Sequence, residues 1–397
     1  MLSGKYWTIS CMGMVLILVV ACQGVSGGTP SITPSSTHSP IISPLPTVRM
    51  TMTPYCTSTT TPMSLLMTAT PAAKVSPPGR ILFTREYLGL RGDGPPNIYV
   101  MNADGSDQML VARQGRHARW SPDGQWIAFE CLRDGNWDVC IVGADGSGER
   151  QLTHDSMCES DIAWSPNGQI IAFVKANGVL DCIMLDSDSR DIYTVNMDGT
   201  VQTNLTDTSN CSEYFPSWSP DGRHILFVRR MLSEENPYIY VMETDGSNLM
   251  RITECRERCG WPGWSPDGQR ISYATTLGEE LSGLRIVDVS GTILIEIPHG
   301  ERLSPNWQQV VAIDGVHLYT SQIDGSGIHQ IVDLSKIVSL NWGWDLSWSP
   351  DGQWLAFTAD FKIYVARSDG TQLLQLTRWE SDTVYNKFCE PVWSPEQ

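Results

Sequence analysis

The phrase Trp-Ser-Pro-Asp-Gly occurs at Trp120–Gly124, Trp218–Gly222, Trp264–Gly268 and Trp348–Gly352. Near copies are Trp164-Ser165-Pro166-Asn167-Gly168, Leu303-Ser304-Pro305-Asn306 and Trp393-Ser394-Pro395-Glu396. Repetition at this spacing restricts a chain to copies of one small unit that bury their faces against each other. An apolar run follows each phrase but the last: Trp126–Phe129, Ile170–Phe173, His224–Phe227, Arg270–Tyr273, Gln309–Ala312 and Trp354–Phe357. A second run ends in Asp-Gly, as in Asn97–Gly105, Asp191–Gly199, Tyr238–Gly246 and Lys362–Gly370. Units then close on Leu-Thr or Ile-Thr, at Leu152-Thr153, Leu205-Thr206, Ile252-Thr253 and Leu376-Thr377.

These phrases are turn chemistry. Proline presets φ at the second position of a turn, and Asp and Gly suit the positions after it. Asp-Gly between two strands predicts a type I′ hairpin, with positive φ twice. Each unit therefore reads as four antiparallel strands, a to d, with strand a ending in Trp-Ser-Pro. A single such unit cannot bury both faces, and radial stacking is the solution that does. The repeated Trp residues read as packing between units.

The phrases resemble the TolB-type, WD40-like repeat of the TolB propeller and of the propellers of prolyl-oligopeptidase relatives, over about residues 80–397. The resemblance implies an all-β propeller of four-stranded antiparallel blades. The copy at Leu303 lacks the Trp and Gly, which predicts an irregular blade. Seven b strands run from Ile81–Phe83 to Trp354–Phe357. The first has no Trp-Ser-Pro phrase before it and the last phrase has no b strand after it, so the C-terminal strand is expected to complete the first blade and close the ring. Seven blades are predicted, with six, as in TolB itself, the alternative.

Ahead of the repeats, residues 1–22 read as an export signal: Lys5, a short apolar run from Met12 to Val20, then Val19-Val20-Ala21-Cys22. The run is shorter than the roughly 20 residues that span a bilayer. A small residue directly before a cysteine resembles the bacterial lipobox, which implies lipidation at Cys22. Of residues 29–78, 30 are Thr, Ser or Pro. Such a segment cannot offset its ordering entropy, so residues 23–78 are read as a disordered tether and 79–397 as the propeller. The sequence thus predicts a monomeric, exported cell-envelope protein held to a membrane by lipid. Residues 1–78 contain no acid, so the rest carries all 44 Asp and Glu against 24 Lys and Arg. That surface repels phosphate backbones and argues against nucleic acid.

Export makes the cysteines candidate disulfides. Cys131, Cys140, Cys158, Cys182, Cys211, Cys255, Cys259 and Cys389 all fall in or beside b–c or d–a loops, which emerge on one face of a propeller. Cys131 and Cys140 are expected to pair across a hairpin, Cys255 and Cys259 to close a small ring, and two of Cys158, Cys182 and Cys211 to pair between neighbouring loops. No Cys-x2-Cys supports zinc.

No cofactor site or catalytic constellation stands out. Gly24-Val25-Ser26-Gly27-Gly28 lies in the tether, without the strand–turn–helix setting of a nucleophile elbow. His117, His154 and His299 flank d–a loops without metal-ligand spacing. Asp186, Asp188 and Asp191 alternate as in a calcium loop but lack its glycine and distal glutamate. Trp137, Trp261, Trp342, Trp344 and Trp379 lie in loops of the cysteine-bearing face, and loop tryptophans favour binding surfaces. The expected function is a recognition module for a protein, peptide or glycan at the channel mouth, rather than an enzyme. The alternative is a glycan-acting enzyme of the lyase or hydrolase type, since related pectin-fragment lyases use histidines and a metal on a propeller.

Overall fold

The computed structural model describes residues 76–88, 94–176, 189–234, 236–255, 259–277, 281–314, 317–333, 345–378 and 385–395. Every regular element among them is a β-strand. β1 (Arg80–Leu88), β2 (Asn97–Asn102) and β3 (Met109–Ala112) form a sheet with the last strand, β28 (Tyr385–Trp393), in the order β28-β1-β2-β3. β4 (Gly115–Trp120), β5 (Trp126–Arg133), β6 (Asn136–Gly143) and β7 (Arg150–Gln151) make the next. An eight-stranded sheet follows. It contains β8 (Glu159–Trp164), β9 (Ile170–Ala176), β10 (Arg190–Asn196) and β11 (Gln202–Asn204), then β12 (Cys211–Trp218), β13 (His224–Met231), β14 (Tyr238–Glu243) and β15 (Met250–Glu254). One parallel bridge, Arg190 to Ser212, joins its halves.

Three further four-stranded sheets complete the set. They are β16 (Cys259–Trp264) to β19 (Ile293–Pro298) by way of β17 (Arg270–Leu277) and β18 (Leu281–Asp288); β20 (Gly300–Leu303) to β23 (His329–Asp333) by way of β21 (Gln309–Asp314) and β22 (His317–Gln322); and β24 (Leu346–Trp348) to β27 (Leu373–Gln375) by way of β25 (Trp354–Ala359) and β26 (Lys362–Arg367). The first strands touch from sheet to sheet, β4 against β8 and β28, and β12 against β8 and β16. This is a propeller arrangement of small antiparallel sheets, with the first strands innermost.

Tryptophan packs the junctions between sheets, as its recurrence suggests. Trp120, for example, joins Ile98 and Val100 of β2 to Ile127 and Phe129 of β5 in one core cluster. Each indole N–H also donates to a carbonyl on the neighbouring inner strand: Trp120 to Val392, Trp164 to Arg119, Trp218 to Ala163, Trp264 to Ser217, Trp348 to Arg302 and Trp393 to Ser347, at 3.2–3.3 Å. Each bond contributes on the order of 1 kcal/mol. They form a repeating clasp from sheet to sheet.

In the Ser-Pro-Asp-Gly turns the serine does more than its sequence role suggests. Ser121 Oγ donates to Asp123 Oδ1 (2.6 Å) and accepts the Trp126 N–H (2.9 Å), and Ser219, Ser265 and Ser349 repeat the pattern. The copy expected to be irregular is not: β20–β23 is a regular sheet. Trp307 takes the place of the missing glycine at φ 58°, its N–H bonding Ser304 O at 2.9 Å. Its ring is buried with Leu284, Ile286 and Val310, so the turn supplies the tryptophan that Leu303 lacks.

The Asp-Gly hairpins depart from the expected type I′. At the first, Gly105 N–H bonds Asn102 O (2.8 Å), Asn102 N–H bonds Ser106 O (2.9 Å), and glycine alone has positive φ. That is a type I turn followed by a left-handed glycine, the three-residue hairpin. Asp104 keeps negative φ because its carboxylate is occupied by the Ser106 N–H and hydroxyl.

Candidate functional site

The inner strands share a device that the repeat phrase conceals. Three residues before the Trp of five of the phrases, the strand bulges, and the bulge residue is left-handed: His117 (φ 51°), Asp161 (54°), Phe215 (55°), Trp261 (46°) and Glu390 (57°). Left-handed backbone is uncommon outside glycine and costly for bulky side chains, and such outliers collect at functional sites. A bulge also leaves an N–H outside the ladder. Here an acid supplies the acceptor. Glu390 N–H bonds Asp345 Oδ2 (3.0 Å), His117 N–H bonds Glu390 Oε2 (3.0 Å), Asp161 N–H bonds Glu130 Oε1 (3.2 Å) and Phe215 N–H bonds Asp161 Oδ2 (3.2 Å). The run then changes chemistry: Phe215 is followed by Trp261, their rings 5.5 Å apart, and Trp261 is 48% exposed.

His117 is the centre of the acidic half. Its Nδ1 lies 2.9 Å from Glu130 Oε2 and its Nε2 2.9 Å from Glu390 Oε1. Burial opposes its charge, but the two carboxylates prevail and raise its pKa well above the ordinary value. Glu390 is correspondingly held down to about 2 against its own burial, chiefly by His117. With both ring nitrogens engaged by carboxylates 2.9 Å away, His117 has no free nitrogen to offer a substrate or a metal in this arrangement.

A second group of acids lies between β6 and β8. Burial pushes Glu159 up to about 9, helped by the charge of Asp155, and raises Asp138. Paired carboxylates with separated pKa values are what acid–base chemistry uses, but Glu159 and Asp138 are 1% and 2% exposed, closed to any substrate. The next junction repeats them as Glu213 and Asp191, with Thr206 replacing Thr153 and Arg229 on Glu213 at 2.8 Å. Their recurrence marks them as junction architecture. On the opposite, turn-bearing side, a groove of about 560 Å³ is lined by Trp264, Met250, Asp221 and Asp267. Both of those carboxylates are already committed to turn serines.

Among the sequence candidates, Trp261 stands in the bulge series. Trp137 does not: the Arg116 guanidinium covers its ring, 3.9 Å from the centroid. Trp342, Trp344, Trp379, Cys22, Cys182, Asp186 and Asp188 lie outside the described residues. Cys131–Cys140 and Cys255–Cys259 are disulfide-bonded, with Cα separations of 5.8 and 5.7 Å. Cys158 is disulfide-bonded too. Of the three cysteines of which two were expected to pair, Cys211 is the one with a free thiol; it opens β12 opposite Met231, its Sγ 3.0 Å from that sulfur. Sequence reasoning missed Glu130, Asp161, Phe215, Asp345 and Glu390. Among the described residues, no three or more His, Cys, Asp or Glu are grouped to hold a metal.

Fold and inner-strand geometry define a β-propeller, and the comparisons give its kind. No family model matches the chain. A TolB homologue of Chlorobium luteolum is 30% identical over 125 residues, 31% of this chain and 25% of that protein. An uncharacterized protein of Agrobacterium fabrum is 32% identical over 148 residues, 36% of this chain and 50% of that protein. The chain spans half or less of the length of these relatives. Among solved structures, TolB of Acinetobacter baumannii matches 80% of this chain and 67% of its own at TM-score 0.50 and 16% identity. An oligogalacturonate lyase in complex with manganese matches 69% and 83% at TM-score 0.58 and 15% identity. A puromycin hydrolase matches 77% and 53% at TM-score 0.58 and 14% identity. The protein is a TolB-like β-propeller. Its fold neighbours include enzymes as well as TolB.

Proposed function

We propose that this chain is a cell-envelope lipoprotein whose propeller binds a protein or peptide at its axis. The observation that carries the reading is exposed Trp261 packed on half-buried Phe215, both held in left-handed backbone beside the acidic bulge series. Rigid exposed aromatics contribute most per residue to recognition. Trp342, Trp344 and Trp379 are proposed to extend the same surface. The lyase or hydrolase reading is weaker because the one histidine in the series, His117, is locked between two carboxylates.

Seven blades in a closed ring fit the arrangement best. The eight-stranded sheet divides at a single bridge into two four-stranded halves, β28 pairs with β1, and Trp120 reaches Val392. An experimental structure with six sheets around the axis, or an open ring, would refute it. Residues 1–22 act as signal, Cys22 as the lipidated residue and 23–78 as tether to a monomeric propeller. Cys22→Ser is expected to abolish incorporation of labelled fatty acid and release the protein from membranes; retained label would refute lipidation.

The test of binding compares the full-length chain with a Phe215→Ala/Trp261→Ala variant in pull-downs from envelope extracts. A protein or peptide captured by the first is expected to be lost, by ~10-fold or more, from the second. Equal capture by both removes the pair from the site. Turnover of a polysaccharide by the wild type would favour the enzymatic reading.

A further inference from the structure

The groove on the turn-bearing side has a counterpart in the same molecule that is already filled. At the junction of the first two sheets, Arg80 opens β1 and lays its guanidinium 4.9 Å from the centre of the Trp120 ring. Its Nη1 and Nη2 donate to Ala144 O (3.5 Å) and Gly124 O (3.4 Å) of the next sheet. Arg270, at the same first position of β17, lies 5.6 Å over Trp307. At β13 that position is His224, which pairs with Glu243 as Arg80 pairs with Asn102. The shorter imidazole does not repeat the contact: its centre stays 6.4 Å from that of the Trp264 ring, at a tilt of 40°. The space left over is the groove of about 560 Å³. Trp264, Gly268 and Val289 line it, in the places that Trp120, Gly124 and Ala144 hold around Arg80. Trp120 is buried, whereas Trp264 is half-buried.

The rest of the lining suits a long cation. Met250 and Val289 are apolar and exposed. Asp221 and Asp267 commit only Oδ1 to a turn serine and a turn N–H, and those bonds hold both carboxyls below the ordinary range, ionised at neutral pH. Arg270 stands 3.9 Å from the second oxygen of Asp267, whereas among the described residues Asp221 has no ion pair.

We propose that this groove receives an arginine side chain of a partner protein, its guanidinium flat on Trp264, its fork on the Gly268 and Val289 carbonyls and its charge on Asp221 and Asp267. A guanidinium offers a stacking face and diverging donors together, which an ammonium does not. Its methylene stem lies along Met250, a side chain flexible enough to follow it. The chain's net charge of −17 favours the approach of a cationic segment. This site is independent of any binding at the axis.

The test uses the full-length chain in detergent micelles and pools of fluorescein-labelled hexapeptides, random in Gly, Ser and Ala except for one central residue. That residue is arginine, lysine or the neutral isostere citrulline. The arginine pool is expected to bind about 10-fold more tightly than the lysine pool, and the citrulline pool not to bind. His224→Arg fills the groove from within, as Arg80 fills its counterpart, and is expected to abolish binding without lowering the thermal midpoint. Asp221→Asn/Asp267→Asn removes the charge and keeps the turns, because Asn167 accepts from Ser165 in the same way (2.8 Å). It is expected to weaken the arginine pool by about 10-fold. Equal binding of the arginine and lysine pools would reduce the attraction to net charge and overturn the proposal. Arginine binding that survives both variants, or binding of no pool, overturns it as well. Wild-type dimers that His224→Arg dissolves would place a second copy in the groove and overturn the partner assignment.

Discussion

Replacing His117 by alanine is expected to lower stability by about 3 kcal/mol near pH 6, because it strands two acids. Glu130 is fully buried and Glu390 nearly so, and each loses the imidazolium 2.9 Å away. Arg116 stays on Glu130 at 2.9 Å and Thr84 on Glu390 at 2.9 Å, which keeps the loss below that of a wholly abandoned pair. The pH dependence has a definite sign. A histidine whose folded pKa is raised contributes fully below its unfolded value of about 6.5, and the contribution fades as pH rises through the folded value. Glu390, at about 2 in the folded state, contributes above its ordinary value and fades as pH falls toward 2. The gap between wild type and variant should therefore be widest from about pH 4.5 to 6.5 and narrow on both sides. Urea titrations across that range measure it. A gap independent of pH would mean that His117 acts by packing alone.

Gly291→Ala is expected to cost roughly 2–4 kcal/mol, from left-handed strain plus a collision. Gly291 has φ 89° in the turn between β18 and β19, and a Cβ there would sit 2.0 Å from Ile252 O of the preceding sheet. That carbonyl belongs to backbone and cannot swing aside. Gly146 is the internal control: φ is 82°, but the nearest atom is 3.5 Å away, at Val111. Gly146→Ala meets only the backbone strain, about 1–2 kcal/mol. Equal thermal shifts for the two variants would show that the turn of β18–β19 does not press on its neighbour.

Why the fold was legible and the site was not follows from where each is written. Strand, turn and junction positions recur in every unit, so Trp120, Asp123 and Gly124 announce themselves by repetition. The bulge position recurs as well, three residues before five of the Trp residues, but its occupants differ: His117, Asp161, Phe215, Trp261 and Glu390. A search for matching residues passes over a column whose content varies. Aligning the units on their tryptophans and reading that column would have found it. Glu130 was beyond reach, since it lies on β5 and meets His117 only across the hairpin. Trp307 misled for the opposite reason: its phrase looked degraded because the aromatic had moved from strand to turn. The Asp-Gly hairpins were misjudged because Asp104 binds Ser106 instead of turning left-handed.

The pairing of β28 with β1 has a kinetic consequence. Ile81 lies opposite Trp393, so the sheet nearest the start of the propeller stays one strand short until the far end of the chain is made. The clasp from Trp120 to Val392 waits for the same strand. Contacts this distant in sequence are slow to form, so this sheet should be the last to gain protection from hydrogen exchange during refolding. Until then the exposed edge of β1 is open to the corresponding strand of another molecule. Refolding at high concentration should therefore yield strand-exchanged dimers.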